Sequence, residues 1–126
     1  MAPITILLID DEKEFVSTLA ERLQLRHFES EYVLSGDAAL QLLAEKIPDV
    51  LIRDLKMPGL DGMEVLRWTK KRALEVPVII LTGHGSDKDE NEARRLGAFE
   101  YLKKPIDIDT LIQHIQRACH PEKPGS

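Results

Sequence analysis

The side chains best able to act together are Asp10 and Asp11, Asp54, Thr82 and Lys104. Each stands just past a short apolar run: Ile4–Ile9, Val50–Ile52, Val78–Leu81 and Phe99–Leu102. Three carboxylates gathered at one place repel; at ~4 Å and an effective dielectric near 20, each like-charged pair costs about 4 kcal/mol. Either one takes a proton or a cation sits among them. Oxygen donors of this kind suit Mg2+, which binds a few carboxylates and keeps several waters. A carboxylate beside such an ion, with a lysine and a hydroxyl close by, is equipped to accept a phosphoryl group. The cations offset charge on the phosphoryl oxygens and the hydroxyl donates to one of them. Asp54 alone is open to three roles: nucleophile, metal ligand or helix cap. Pro58 and Gly59 follow it and impose a turn rather than a helix start, which argues against the cap.

These residues lie far apart in sequence, so the fold must bring them together. The unbroken apolar runs ending at Ile9, Ile52 and Leu81 read as strands covered on both faces. Glu31–Leu34 and Phe99–Leu102 are more polar or alternating and suit sheet edges. Between them lie helical patterns. Phe15, Val16, Leu19, Ala20 and Leu23 share one face, and Asp11 with Glu14 has a capping-box spacing. Ser35 is the expected cap of a second helix striped by Ala39, Leu42 and Leu43. A third helix is expected over 62–71, with Val65, Leu66 and Thr69 facing inward. Ser86 should cap a fourth, ended by Gly97, that carries almost no apolar residue but Ala93 and Leu96 and should be the least firmly anchored. Ile108, Leu111, Ile112, Ile115 and Ala118 mark a fifth. A strand–helix alternation repeated five times implies an α/β fold: a parallel sheet, right-handed crossovers and helices on both faces. Ligands of such sheets sit beyond the carboxyl ends of the strands.

The composition is that of a globular chain. Its 126 residues suggest one domain over 1–119, with a Pro/Gly-rich tail or linker start at 120–126. Hydrophobic residues make up 43% and charged residues 31%. A net charge of −5 argues against nucleic-acid binding by this stretch alone. No run approaches the ~20 apolar residues of a membrane span. Met1-Ala2-Pro3 leads straight into a strand rather than a signal peptide, and Cys119 is the single cysteine, so a cytoplasmic location is the expectation.

Four segments together closely resemble the receiver domain of two-component response regulators: Ile9-Asp10-Asp11-Glu12, Asp54-Leu55-Lys56-Met57-Pro58-Gly59-Leu60-Asp61-Gly62, Leu81-Thr82-Gly83-His84-Gly85 and Gly97 through Pro105. The match spans about residues 4–118. The resemblance implies a flavodoxin-like doubly wound (βα)5 fold with strand order 2-1-3-4-5. It implies that Asp54 accepts a phosphoryl group from a histidine kinase or phosphotransfer protein. Asp11, Asp54 and the backbone carbonyl of Lys56 would bind Mg2+, or Mn2+ in its place, with Asp10 acting mainly through a bound water. Lys104 would pair with the phosphoryl oxygens, and its bond to Pro105 would be cis. Thr82 would move toward the phosphoryl group and Tyr101 would swing inward to fill the space released. The surface of the fourth helix, fifth strand and fifth helix would then change partners: a covalently linked output domain, a separate protein or a second copy of the chain. Such a protein is a switch rather than an enzyme on an external substrate.

Lys56 and His84 are expected to modulate this chemistry. Arg53 departs from the family pattern, which generally has a small or apolar residue just before the acceptor; it is expected to turn away from the metal. His27, His114 and His120 read as solvated and Trp68 as lying on a helix flank. Two further readings compete: a receiver-like interaction module that is never phosphorylated, and a Mg2+-dependent phosphohydrolase. The hydrolase family with a strand-end aspartate places a second acid two residues later, where this chain has Lys56, and it usually carries a cap insertion for which there is no room. The Thr82–Gly85 loop resembles receivers attached to transcriptional activators.

Overall fold

The apolar runs form the strands of one five-stranded parallel sheet, ordered β2-β1-β3-β4-β5. The computed structural model describes residues 2–55, 76–83 and 85–119. Its elements are β1 (Thr5–Ile9), α1 (Lys13–Gln24), β2 (Glu29–Val33), α2 (Gly36–Glu45), β3 (Val50–Arg53), β4 (Val78–Thr82), α3 (Asp87–Arg95), β5 (Glu100–Lys103) and α4 (Ile108–Cys119). The expected helix over 62–71 lies outside the described residues, as do Lys56, Trp68, His84 and the 120–126 tail. The helix expected fourth is therefore α3, and the one expected fifth is α4. Among the described residues no helix is long and apolar enough to cross a membrane.

Because side chains alternate along a strand, the sheet has two apolar faces. Ile6, Leu8, Val50, Ile52, Ile79 and Leu81 pack on one side with α1 and α4. Leu7, Ile9, Leu51, Val78 and Ile80 pack on the other with Ala39 and Leu43 of α2 and Ala93 of α3. Each fully buried Leu or Ile contributes about 1.5–3 kcal/mol. Ala93 is the one buried residue of α3. Its definition comes instead from its ends. Ser86 and Asp89 form a reciprocal capping box, and Gly97, at φ 100°, turns the chain so that Gly97 N–H bonds Arg94 O and Ala98 N–H bonds Ala93 O.

The helix starts hold one correction. Ser35 caps α2 as expected, accepting from Ala38 N at 3.1 Å. Asp11 and Glu14 do not cap α1; its N-cap is Glu12, which makes no side-chain capping bond. The Glu12 carboxylate is drawn to Lys104 instead, at 2.6 Å. The β2 strand also begins earlier than expected, at Glu29 rather than Glu31. The pairing Thr5↔Glu29 with β1, started by Glu29 N–H to Ile4 O at 2.9 Å, outweighs the polarity of Glu29.

At the end of α1 the same closing turn as in α3 is made with His27 in the glycine position. Its φ is 73°, with His27 N–H bonded to Gln24 O and Phe28 N–H to Leu23 O. A side chain there crowds the backbone, at a cost of about 1–2 kcal/mol. His27→Gly should therefore raise stability by about 0.5–1 kcal/mol in urea unfolding, after the extra chain entropy of glycine is subtracted. A loss of stability would contradict this reading.

Candidate functional site

The order of the sheet reverses at β1, since β1 is followed by β2 on one side and β3 on the other. That switch point opens a crevice at the carboxyl ends of β1 and β3. Asp10 follows the end of β1 and Asp54 the end of β3. The ladder extends one residue past each strand and fixes them: Asp10 N–H bonds Val33 O at 3.2 Å and Asp54 N–H bonds Ile9 O at 2.9 Å. Lys104 is set the same way, its N–H bonded to Thr82 O at 3.0 Å, and the Lys104–Pro105 peptide is cis.

Lys104 is the hub. Its Nζ donates to Asp10 Oδ2 at 2.8 Å, to Glu12 Oε1 at 2.6 Å and to Asp54 Oδ2 at 3.3 Å. The ammonium also lies 4.3 Å from the centre of the Phe15 ring, a cation–π contact that guides the stem across α1. Asp10 and Asp54 are enclosed, at 4% and 3% exposure. Asp10 Oδ1 accepts from Glu12 N at 2.9 Å and Asp54 Oδ1 from Leu55 N at 2.6 Å. Each acid thus keeps one oxygen on the backbone and turns the other toward the crevice.

Burial pushes the Asp10 carboxyl above its ordinary value, and the bonds from Lys104 and from Glu12 N–H recover only part of that. Burial acts on Lys104 in the opposite sense, but the Asp10 and Glu12 carboxylates outweigh it and hold the ammonium above its usual value. One lysine is therefore shared by three acids and offsets at most one of their charges.

The carboxylate oxygens of Asp10, Glu12 and Asp54 lie within 4.8 Å of one another. Hard anionic donors this close fit a small divalent cation such as Mg2+. The expected trio was Asp10, Asp11 and Asp54. Asp11 is exposed and stands outside the group, and Glu12 takes the third place. Glu12 and Phe15 are the site residues that sequence reasoning missed. Glu12 was visible within the acidic run after β1, but its partner is 92 residues away.

The other expected residues are placed as follows. Thr82 ends β4 fully buried. Tyr101 is inward, 5% exposed, and burial with the charges of Asp89 and Glu90 raises its phenol. Lys56 and His84 lie outside the described residues. Arg53 is enclosed at 1% exposure, and its Nε donates to the carbonyl of Asp54 at 2.7 Å. Strand alternation puts it on the face of Leu51, opposite that of Ile52. His114 is not solvated as expected: its Nδ1 accepts from Arg117 at 2.7 Å and lies 3.7 Å from Glu100, whose other oxygen accepts from Arg94. That cluster ties α3, β5 and α4 into one surface.

A stability prediction follows from the raised Asp10. A carboxyl whose folded value lies above its unfolded value binds a proton more tightly when folded, so its charge opposes folding at neutral pH. Asp10→Asn should stabilise the metal-free protein at pH 7, because it removes a carboxylate whose burial cost outweighs its bond to Lys104. The gain should shrink as pH falls through the raised value toward the ordinary ~3.9. Urea unfolding across pH checks both sign and slope; a variant less stable than wild type at pH 7 would contradict the reading.

A family model for the response regulator receiver domain matches residues 6–116. The regulatory protein AtoC of Escherichia coli (strain K12) is 37% identical over 113 residues, which cover 90% of this chain and 24% of that protein. A putative response regulator NtrX-like of Rickettsia bellii (strain RML369-C) is 34% identical over 125 residues, 98% of this chain and 26% of the relative. The chain thus spans about a quarter of the length of these curated relatives. The crystal structure of a response regulator receiver domain protein from Clostridium thermocellum superposes with a TM-score of 0.88 at 38% identity, covering 94% of this chain and 95% of that one.

Proposed function

The chain belongs to the response regulator receiver family, and from that membership we propose that Asp54 is its phosphoacceptor in a Mg2+-dependent phosphotransfer. The observation that carries the reading is the buried Asp54 carboxylate, its Oδ2 turned to Lys104 and its Oδ1 anchored on Leu55 N–H. An Asp54 oxygen attacks the phosphorus of a phosphohistidine on a histidine kinase or phosphotransfer protein. The P–O bond to Asp54 forms as the P–N bond breaks, and the leaving imidazole takes a proton. Lys104 follows the negative charge from the carboxylates to the phosphoryl oxygens, and the Thr82 hydroxyl donates to one of them.

Mg2+ would draw its donors from Asp54, Asp10 and Glu12, which stand together, with Asp11 and the Lys56 carbonyl as the further donors the resemblance implies, and would neutralise charge on the transferred group. Phosphorylation adds roughly −1.5 to −2 charge and new acceptor oxygens. Moving a two-state surface from 1:99 to 99:1 takes about 5.5 kcal/mol of differential affinity, of which a few charge-assisted hydrogen bonds supply a useful part. The surface that responds is α3, β5 and α4, where α3 is held by little buried area and by the Arg94–Glu100 pair. A cytoplasmic setting, and an output domain or separate partner that reads this surface, complete the proposal.

Incubation with a small phosphodonor, with and without Mg2+, followed by intact-mass measurement tests it. A stable gain of one phosphoryl group that requires Mg2+ is expected. No gain would favour an inert interaction module, and rapid turnover of varied phosphoesters a hydrolase.

A further inference from the structure

The resemblance leads one to expect that Tyr101 turns inward only after phosphorylation draws Thr82 away and frees a space. In this chain the space is already present, and a glycine provides it. Gly85 lies in the β4–α3 loop, between Thr82 and the Ser86 cap. A Cβ built on Gly85 would fall 1.4 Å from the Tyr101 hydroxyl oxygen, 2.7 Å from Tyr101 Cζ and 3.2 Å from Thr82 Cγ2. The first two distances lie far inside van der Waals contact and involve a ring tip, which gives way only if the whole side chain rotates. What a side chain at position 85 would meet is the tip of the tyrosine, so the glycine supplies room. Gly83, in the same loop, differs: a Cβ there would meet only Lys104 carbons, at 3.9 Å, which is ordinary contact.

The seat is steric rather than polar. The Tyr101 hydroxyl is buried with no hydrogen-bond partner among the described residues. A phenol normally keeps a partner or water when buried. Here the ring stays in because the volume above Gly85 accepts it.

We propose that Gly85 is a positioning residue that seats Tyr101 inward in the unphosphorylated protein, so that the side chain at position 85 sets the resting state of the α3–β5–α4 surface. This rests on the reading of Thr82 and Tyr101 as the responsive pair, and position 85 touches both. With glycine, the inward tyrosine does not wait for Thr82 to move. With any larger residue, Tyr101 is expelled to the surface until something else makes room.

The test reads Tyr101 directly, in protein without a phosphodonor. Tyr32 is the other tyrosine, so in a Tyr32→Phe background the Tyr101 ring is the single tyrosine signal in NMR. Its relaxation by a soluble paramagnetic agent reports its exposure. The expected result is a protected ring with Gly85, a ring exposed severalfold more in Gly85→Ala, and no change in Gly83→Ala. A ring that stays protected in Gly85→Ala, or that is already exposed with Gly85, overturns the proposal. Should Gly85→Ala unfold the protein, unfolding midpoints decide. The same substitution in a Tyr101→Ala background should shift the midpoint much less than with Tyr101 present, and an equal shift overturns the proposal. Intact-mass measurement of phosphoryl uptake is read separately, so a failure at Asp54 is distinguishable from a failure at Gly85.

Discussion

Asp54→Asn should take up no phosphoryl group from a small phosphodonor in the presence of Mg2+, under conditions in which the wild type should gain one. The carboxamide has nearly the same volume and retains an oxygen to accept from Leu55 N–H, so the local backbone has no reason to move. What disappears is the anionic oxygen that Lys104 approaches at 3.3 Å, the one proposed above as nucleophile and metal donor. The variant should also be at least as stable as the wild type without metal. It removes one of three acids packed around a single ammonium, which relieves like-charge repulsion while Asp10 and Glu12 still pair with Lys104. Intact mass and urea unfolding read the two effects independently. A phosphorylated Asp54→Asn protein would show that another residue is the acceptor.

Lys104→Met has the second large effect, and its two parts have opposite signs. Methionine keeps an apolar stem near Phe15 but withdraws the charge that Asp10, Glu12 and Asp54 share. With two of those acids almost fully enclosed, breaking the arrangement by removing one partner should cost about 3–5 kcal/mol in metal-free protein at pH 7. Mg2+ affinity should rise at least tenfold, equivalent to about 1.4 kcal/mol, because the ammonium no longer occupies the oxygens that the cation needs. The pH dependence carries a further sign. A lysine raised on folding contributes fully below its unfolded value of ~10.4 and loses that contribution as pH climbs through the higher folded value. The stability gap between wild type and variant should therefore be flat from about pH 7 to ~10, where the carboxylates stay charged, and close above it. Calorimetric Mg2+ titration and pH-dependent unfolding check these. Unchanged Mg2+ affinity would mean that Lys104 and the metal do not compete.

Metal should reverse the sign at Asp10. At a free Mg2+ concentration about a hundred times the dissociation constant, binding to the folded state alone adds about 2.7 kcal/mol. Wild type should thus overtake Asp10→Asn once Mg2+ is present, if Asp10 helps to hold the ion.

The features legible in the sequence were those written locally. Apolar runs such as Leu7–Ile9 and Leu51–Ile52 fixed the strands, and the acids and lysine just beyond them marked the edge where they would meet. Ser35, Ser86 and Gly97 are local signals too, and all three end or begin helices as expected. Glu12 was not legible as a site residue, because its capping neighbours and its Lys104 partner offer competing uses for that stretch and only the tertiary contact decides. His114 looked solvated for the same reason: Arg117 is one turn away in sequence, but Glu100 reaches it only across the β5–α4 packing. Gly85 carried no signal at all, since what it does is leave space for a ring sixteen positions later. Arg53 was flagged as a departure from the pattern. Its burial on the face of Leu51 follows from strand alternation, which requires any residue at that position to leave the sheet there.

Locating the phosphoryl group tests the central claim most directly. Wild-type protein treated with phosphodonor and Mg2+ is reduced with borohydride, which converts a phosphorylated aspartate to homoserine, and is then digested and mapped. The account predicts homoserine at position 54 and unmodified aspartate at positions 10 and 11. Homoserine at another aspartate, with Asp54 intact, would contradict it.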